Sequence, residues 1–180
     1  MRCGRIRNGQ FATAPARMNR SSSRKPGKPT QRTDGINPVQ RRRARVRAMQ
    51  AIYAWQISGG TIQSLLEQFA HEQIYETADL LYFESLLRGV LTHWRQLDQA
   101  LTPFIDRPMA EVDAIERAVL RLAAFELRQR PDIPWRVVID EAVRTTRRFG
   151  SEHGHTWING VLDKAATAWR SNEINPHLTQ

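Results

Sequence analysis

Five arginines occupy seven consecutive positions: Arg41, Arg42, Arg43, Arg45 and Arg47. Each guanidinium is a planar fork that matches phosphate oxygens in paired contacts. A helical apolar pattern carrying Tyr53 and Trp55 follows at once. Binding an unpaired nucleic-acid strand needs cations for the backbone and rings for the bases. RNA in particular is read through splayed, unstacked bases. Tyr53, Trp55, Phe104 and Trp157 are the candidate rings, although each type is also at home in a core. The bland alternative is that the arginines form a solvated face.

Other chemistry is thin. His153-Gly154-His155 lacks the third ligand that a metal site requires. Asp140 and Glu141 are neighbours on a helix and therefore diverge, which argues against a paired acid–base role. Ser151 has no evident base to activate it. There is no Gly-x-x-x-x-Gly-Lys and no Gly-x-Gly-x-x-Gly segment, and Gly59-Gly60 reads as a turn. Glu126 and Glu141 stand among apolar residues, so structural ion pairs with arginines are expected for them. No cofactor, metal or enzymatic activity is expected.

The elements that position these residues read as helices throughout. Asn37 suits an N-cap, Pro38 the first helical position and Gln40 a capping box. Val46, Met49, Tyr53 and Ile57 share one face at 3.6 spacing and are expected in the core. The arginine end is then expected to extend past the core or fray. Ser58-Gly59-Gly60 ends this helix, and Thr61 caps a second bearing Ile62, Leu65, Leu66 and Phe69. Thr77 is placed to cap a third, from about 78 to 101, which Pro103 closes. Asp113 with Glu116 opens a fourth, Pro134 opens a fifth that Gly150 ends in a left-handed conformation, and a last helix runs from Trp157 to Trp169. This predicts an all-α bundle of six or seven helices over residues 38–170. Residues 1–37 read as a disordered basic extension, and 171–180 as a frayed tail.

The charge supports a basic arm on a mildly acidic body. Residues 1–47 hold 14 of the 27 Lys/Arg and one of the 18 acids, and the remainder holds 13 and 17. Such an arm fits nucleic acid or an anionic surface. No apolar run reaches the roughly 20 residues of a membrane helix. Cys3 is the single cysteine, so there is no internal disulfide. A cytoplasmic location fits, with an organelle transit peptide as a minor alternative.

Five blocks in this order and spacing resemble the NusB family of bacterial antitermination factors. They are RRRARVRAMQAIYAWQ (41–56), LYFESLLRGV (81–90), VDAIERAVLRLAAFEL (112–127), DIPWRVVIDEAV (132–143) and FGSEHGHTWINGVLDKAA (149–166). The resemblance implies two packed helical subdomains and a non-catalytic role. It also implies binding of boxA, a short single-stranded RNA element, together with NusE, a small-subunit ribosomal protein. NusA, NusG and RNA polymerase would join through the larger complex, which supports ribosomal RNA transcription. By the same resemblance Arg41, Arg42, Arg43, Arg45, Tyr53, Phe104 and Trp157 are expected at RNA, and Glu116 at the partner; His153 is expected at RNA on its own chemistry, since a neutral or positive ring would favour RNA where an acid would not. Family members often carry Tyr where this chain has Phe104, Phe where it has Trp157, and an acid where it has His153. Two alternatives stand beside this reading: a NusB-like fragment of a ribosomal RNA methyltransferase, and a helical interaction module that never touches RNA.

Overall fold

The computed structural model describes residues 37–70 and 78–174, and among these every regular element is helical. Helix α1 is Pro38–Ser58, α2 Ile62–Ala70, α3 Leu80–Leu101, α4 Ala114–Gln129, α5 Trp135–Phe149, α6 Gly154–Trp169 and α7 Ser171–Ile174. Short 3-10 turns at Thr102–Phe104 and Met109–Glu111 join α3 to α4. The expected extension before Asn37, the Thr77 cap and the last six residues lie outside the described residues.

Local chemistry sets the helix ends. Asn37 Oδ1 accepts the Val39 and Gln40 N–H groups at 3.0 and 3.4 Å, satisfying two donors that the first turn leaves open. Gly59 at φ 73° stops α1 in the left-handed region, and its N–H donates to the Trp55 carbonyl. Thr61 and Ser64 cap α2 reciprocally: each hydroxyl accepts the other's N–H, at 3.1 and 3.2 Å. Asp79 opens α3 by accepting from Tyr82 N–H at 3.0 Å. Asp113 opens α4 by accepting from Ile115 and Glu116.

Helix α4 is the shared wall of the molecule. It packs on α1 and α3 and also on α5 and α6, while α2 is carried by α1 and α3. Every residue from Ala118 to Leu127 is buried. Alanines 118, 123 and 124 let neighbouring backbones come close. Leu120, Leu122 and Leu127 supply apolar area, each about 1.5–3 kcal/mol when fully removed from water.

The structure corrects four expectations. The core face of α1 is Ala44, Ala48, Met49, Ala51 and Ile52, while Tyr53 and Ile57 face solvent. The arginine end neither frays nor outruns the core, because it is tied down by carboxylates from three other helical segments. Gly150 ends α5 at φ −86°, not in the left-handed region. It is needed because a Cβ there would lie 2.7 Å from the Thr146 methyl. The tail is ordered through Ile174: Glu173 accepts the Trp135 N–H at 3.1 Å and Ile174 packs on the core.

Candidate nucleic-acid interface

Turning α1 by one face relocates its functional groups. Val39, Arg43, Val46, Gln50, Tyr53 and Ile57 recur at three- and four-residue steps and form one stripe. All of it is at least partly exposed, with Val39 at 50%, Tyr53 at 38% and Ile57 at 64%. Beside this stripe the C-terminal end of α5 forms the second bank of a groove of about 410 Å³. Among the described residues its lining is Val39, Arg42, Arg43, Val46, Arg47, Gln50, Arg148 and Phe149: four guanidiniums, a half-buried ring and no carboxylate. The Arg148 guanidinium lies 4.9 Å from the centre of the Phe149 ring. A concave surface with cations for phosphate and a ring edge for a base has the chemistry of single-strand recognition.

The arginines that the sequence groups together separate into distinct roles. Arg43 is exposed on the groove. Arg42 lines the groove but grips Glu141 of α5 through Nε at 3.0 Å and Nη2 at 2.9 Å. This hydrogen bond and the carboxylate's charge raise the Arg42 pKa above its ordinary value. Arg41 turns away to Asp79 at 3.0 Å and stacks 4.0 Å above the Tyr82 ring.

Arg45 is a correction. The sequence reading puts it at a phosphate, yet it is 5% exposed and bonded to Glu126 of α4 at 2.9 Å. It shares the inward face of Ala44, Ala48 and Met49, so its guanidinium can only enter the core, where a charge must be paired. Burial pulls its pKa down and the Glu126 carboxylate more than offsets this. Tyr82 donates its hydroxyl to the same Glu126, and burial followed by that negative charge pushes its phenol far above the usual range. The expected structural ion pairs of Glu126 and Glu141 are thus present.

Trp157 and Phe104 belong to a second patch. The Trp157 indole N–H donates to Asp106 Oδ1 at 3.1 Å, and the Arg107 guanidinium sits 5.1 Å from the ring centre. Arg107 also holds Asp106 through two bonds of 2.9 and 3.1 Å. Its hydrogen bond is the main reason that the Asp106 pKa falls to about 2. Phe104 is half-buried and meets Trp169 edge-on at 5.5 Å, so its faces are only partly available. His153 is exposed at the start of α6, four residues after Phe149, and its carbonyl accepts from Thr156 and Trp157. Trp55 is half-buried against Trp94, with centroids 5.8 Å apart.

Glu116, expected to face a partner, is instead 8% exposed. It accepts the Ser151 hydroxyl at 2.5 Å and lies against Gly154 at the start of α6. The cap at Asp113 puts Glu116 on the first turn of α4, which faces that helix start. Sequence reasoning missed Arg148 and Phe149. The signal available is the Arg147-Arg148-Phe149 triplet at the end of α5, which reads only as a core position and a helix end.

Among the described residues no three His, Cys, Asp or Glu side chains are grouped to hold a metal, and no helix is long and apolar enough to cross a membrane.

Known proteins share both the sequence pattern and the fold. The family model described as NusB family matches residues 42–167. Transcription antitermination protein NusB of Stenotrophomonas maltophilia (strain K279a) is 64% identical over 157 residues, covering 87% of this chain and 98% of that protein. Its counterpart in Xanthomonas oryzae pv. oryzae (strain PXO99A) is 66% identical over 142 residues, covering 79% and 91%. Among solved structures, T. maritima NusB superimposes with a TM-score of 0.67 at 26% identity, covering 74% of this chain and 96% of that one. A chain from a crystal structure of antitermination factors NusB and NusE in complex with dsRNA shares the fold, with a TM-score of 0.58 at 21% identity, covering 71% and 96%. The match over most of the helical body, at this level of identity, shows that the chain belongs to the NusB family.

Proposed function

We propose that the protein is a non-catalytic, cytoplasmic RNA-binding antitermination factor. It takes boxA-type single-stranded RNA together with NusE and supports ribosomal RNA transcription, with NusA, NusG and RNA polymerase reached through the larger complex. The observation that carries this reading is the arginine-lined groove between α1 and the end of α5. Arg42, Arg43, Arg47 and Arg148 would meet phosphates there, and Phe149 and Tyr53 would stack bases. His153 and Trp157, four and eight residues after Phe149 in the chain, would extend the contact, together with Phe104 of the second patch. Arg41 and Arg45 serve from below, holding the helix in place. Glu116 would act on the partner through the α6 start that it braces.

The names of the relatives support the antitermination role, and the neighbour solved with NusE and dsRNA supports both partners. That neighbour also raises duplex RNA as a second reading. Exposed rings favour the single strand, because a paired base keeps its faces inside the stack. Filter binding of boxA-type RNA, a scrambled strand and the boxA duplex, each with and without NusE, tests the proposal. Preference for the single boxA strand, strengthened by NusE, is expected. Equal binding of all three, or none, would overturn it.

A further inference from the structure

We infer that Glu141 controls entry to the groove by exchanging arginines: it holds Arg42 in the free protein and passes to Arg144 when a phosphate takes Arg42. The inference rests on the RNA-binding reading above and goes beyond it by naming what RNA must displace.

Three features of the geometry point there. Arg42 stands on the wall between the groove and a neighbouring cavity of about 240 Å³ that Glu141 also lines. Its side chain is 42% exposed, so a phosphate can reach it from the groove while Glu141 holds it from behind. The Glu141 side chain is only 10% exposed, and a carboxylate so enclosed cannot be left without a cation at small cost. A replacement is already in place. Arg144, one turn further along α5 and 62% exposed, has its Nε 3.8 Å from Glu141 Oε1. A small rotamer change brings it to hydrogen-bonding distance. Arg45, the other cation on α1 facing Glu141, is committed to Glu126 and cannot substitute. Arg144 does not line the groove, so its influence on RNA would pass through Glu141. Glu141 is a positioning residue in this scheme, and Arg144 is its reserve partner.

The test uses the full chain and a single-stranded boxA-type RNA, with affinity followed by fluorescence anisotropy across a salt series. Arg144→Ala should weaken binding about threefold, as expected for one partly exposed ion pair, with the slope of log affinity against log salt unchanged. Arg144→Lys should restore it. In a Glu141→Gln background, Arg144→Ala should have no effect, and Glu141→Gln alone should bind about threefold more tightly than wild type. A slope reduced by about 0.7 in Arg144→Ala would mean a direct phosphate contact and overturn the exchange. So would an equal loss in both backgrounds, or weaker binding by Glu141→Gln with unchanged thermal unfolding. If Glu141→Gln fails to fold, the slope and the lysine rescue still decide. Wild type that binds no RNA would defeat the proposed function itself, whereas wild type that binds RNA with neither variant differing defeats only the exchange.

Discussion

Arg45 of α1 and Glu126 of α4 meet at 2.9 Å inside the protein, their side chains 6% and 2% exposed. Tyr82 of α3 completes the contact by donating its hydroxyl to the same carboxylate. Three helices are therefore fastened at one polar point, which sets the rotation of α1 and sends Arg43 and Tyr53 outward. Removing one partner of such a pair strands the other. Glu126→Ala should cost about 3–5 kcal/mol of unfolding free energy, measured by urea denaturation. A loss below about 1 kcal/mol would show that the site is solvated.

Arg45→Ala should be destabilising for the same reason, so any loss of RNA binding in it reports on folding. The double variant Arg42→Ala, Arg43→Ala should behave differently. Its helicity by circular dichroism should stay near wild type, because Glu141 retains Arg144 and Arg43 is exposed. Its RNA affinity should fall, and its salt slope should shrink by about 0.7 for each phosphate no longer neutralised. Collapse of the dichroism signal would make these arginines structural.

Tyr53 tests the outward stripe alone. At 38% exposure its removal should change stability by no more than about 0.5 kcal/mol. Loss of a stacked base should nevertheless weaken RNA binding by about 1–3 kcal/mol. Unchanged affinity of Tyr53→Ala in anisotropy titrations would take the ring out of the site.

The contact between α4 and α6 makes a steric prediction. A Cβ at Gly154 would overlap Glu116 Oε1 and lie 2.8 Å from the Ser151 hydroxyl. Gly154→Ala should cost about 1–3 kcal/mol, as overpacking does, and should lower NusE binding if Glu116 acts through this helix start. Full stability of the variant, read by thermal unfolding, would mean that Glu116 is free to move aside.

Asp106 gives a pH dependence with a definite sign. Arg107 and the Trp157 indole hold its carboxylate at a pKa of about 2, below the ordinary 3.8. The stabilisation from its ionised form is thus fully present above the ordinary value and is lost as pH falls through about 2. The Trp157 indole N–H resonance should stay constant down to about pH 4 and move only below it. A transition centred near pH 4 would show that the bond to Asp106 does not form in solution.

Much of this is legible in the residues. Asn37-Pro38, Thr61 and Asp113 each carry a cap whose hydrogen bonds are local, so their types alone place three helix starts. The rotation of α1 is not legible. Its inward face carries Ala44, Ala48, Met49, Ala51 and Ile52, while Val39, Tyr53 and Ile57 face outward. Large apolar side chains lie on both sides, so the 3.6 spacing that groups Met49 with Tyr53 and Ile57 picks a face that turns partly to solvent. Arg45 misleads for a related reason: its partner is 81 positions away on α4, and spacing along the chain cannot show a pairing made by packing. Phe149 is half-buried against the core, and its place in the groove is not legible because it depends on how α5 meets α1.

Photocrosslinking of a thiouridine-substituted single-stranded boxA-type RNA, with crosslinked peptides identified by mass spectrometry, tests the central claim most directly. Crosslinks should fall on the outward stripe of α1 from Arg43 to Tyr53 and on Arg148–Phe149 at the end of α5. Crosslinks confined to α2 and α3, with none on either bank of the groove, would contradict the account.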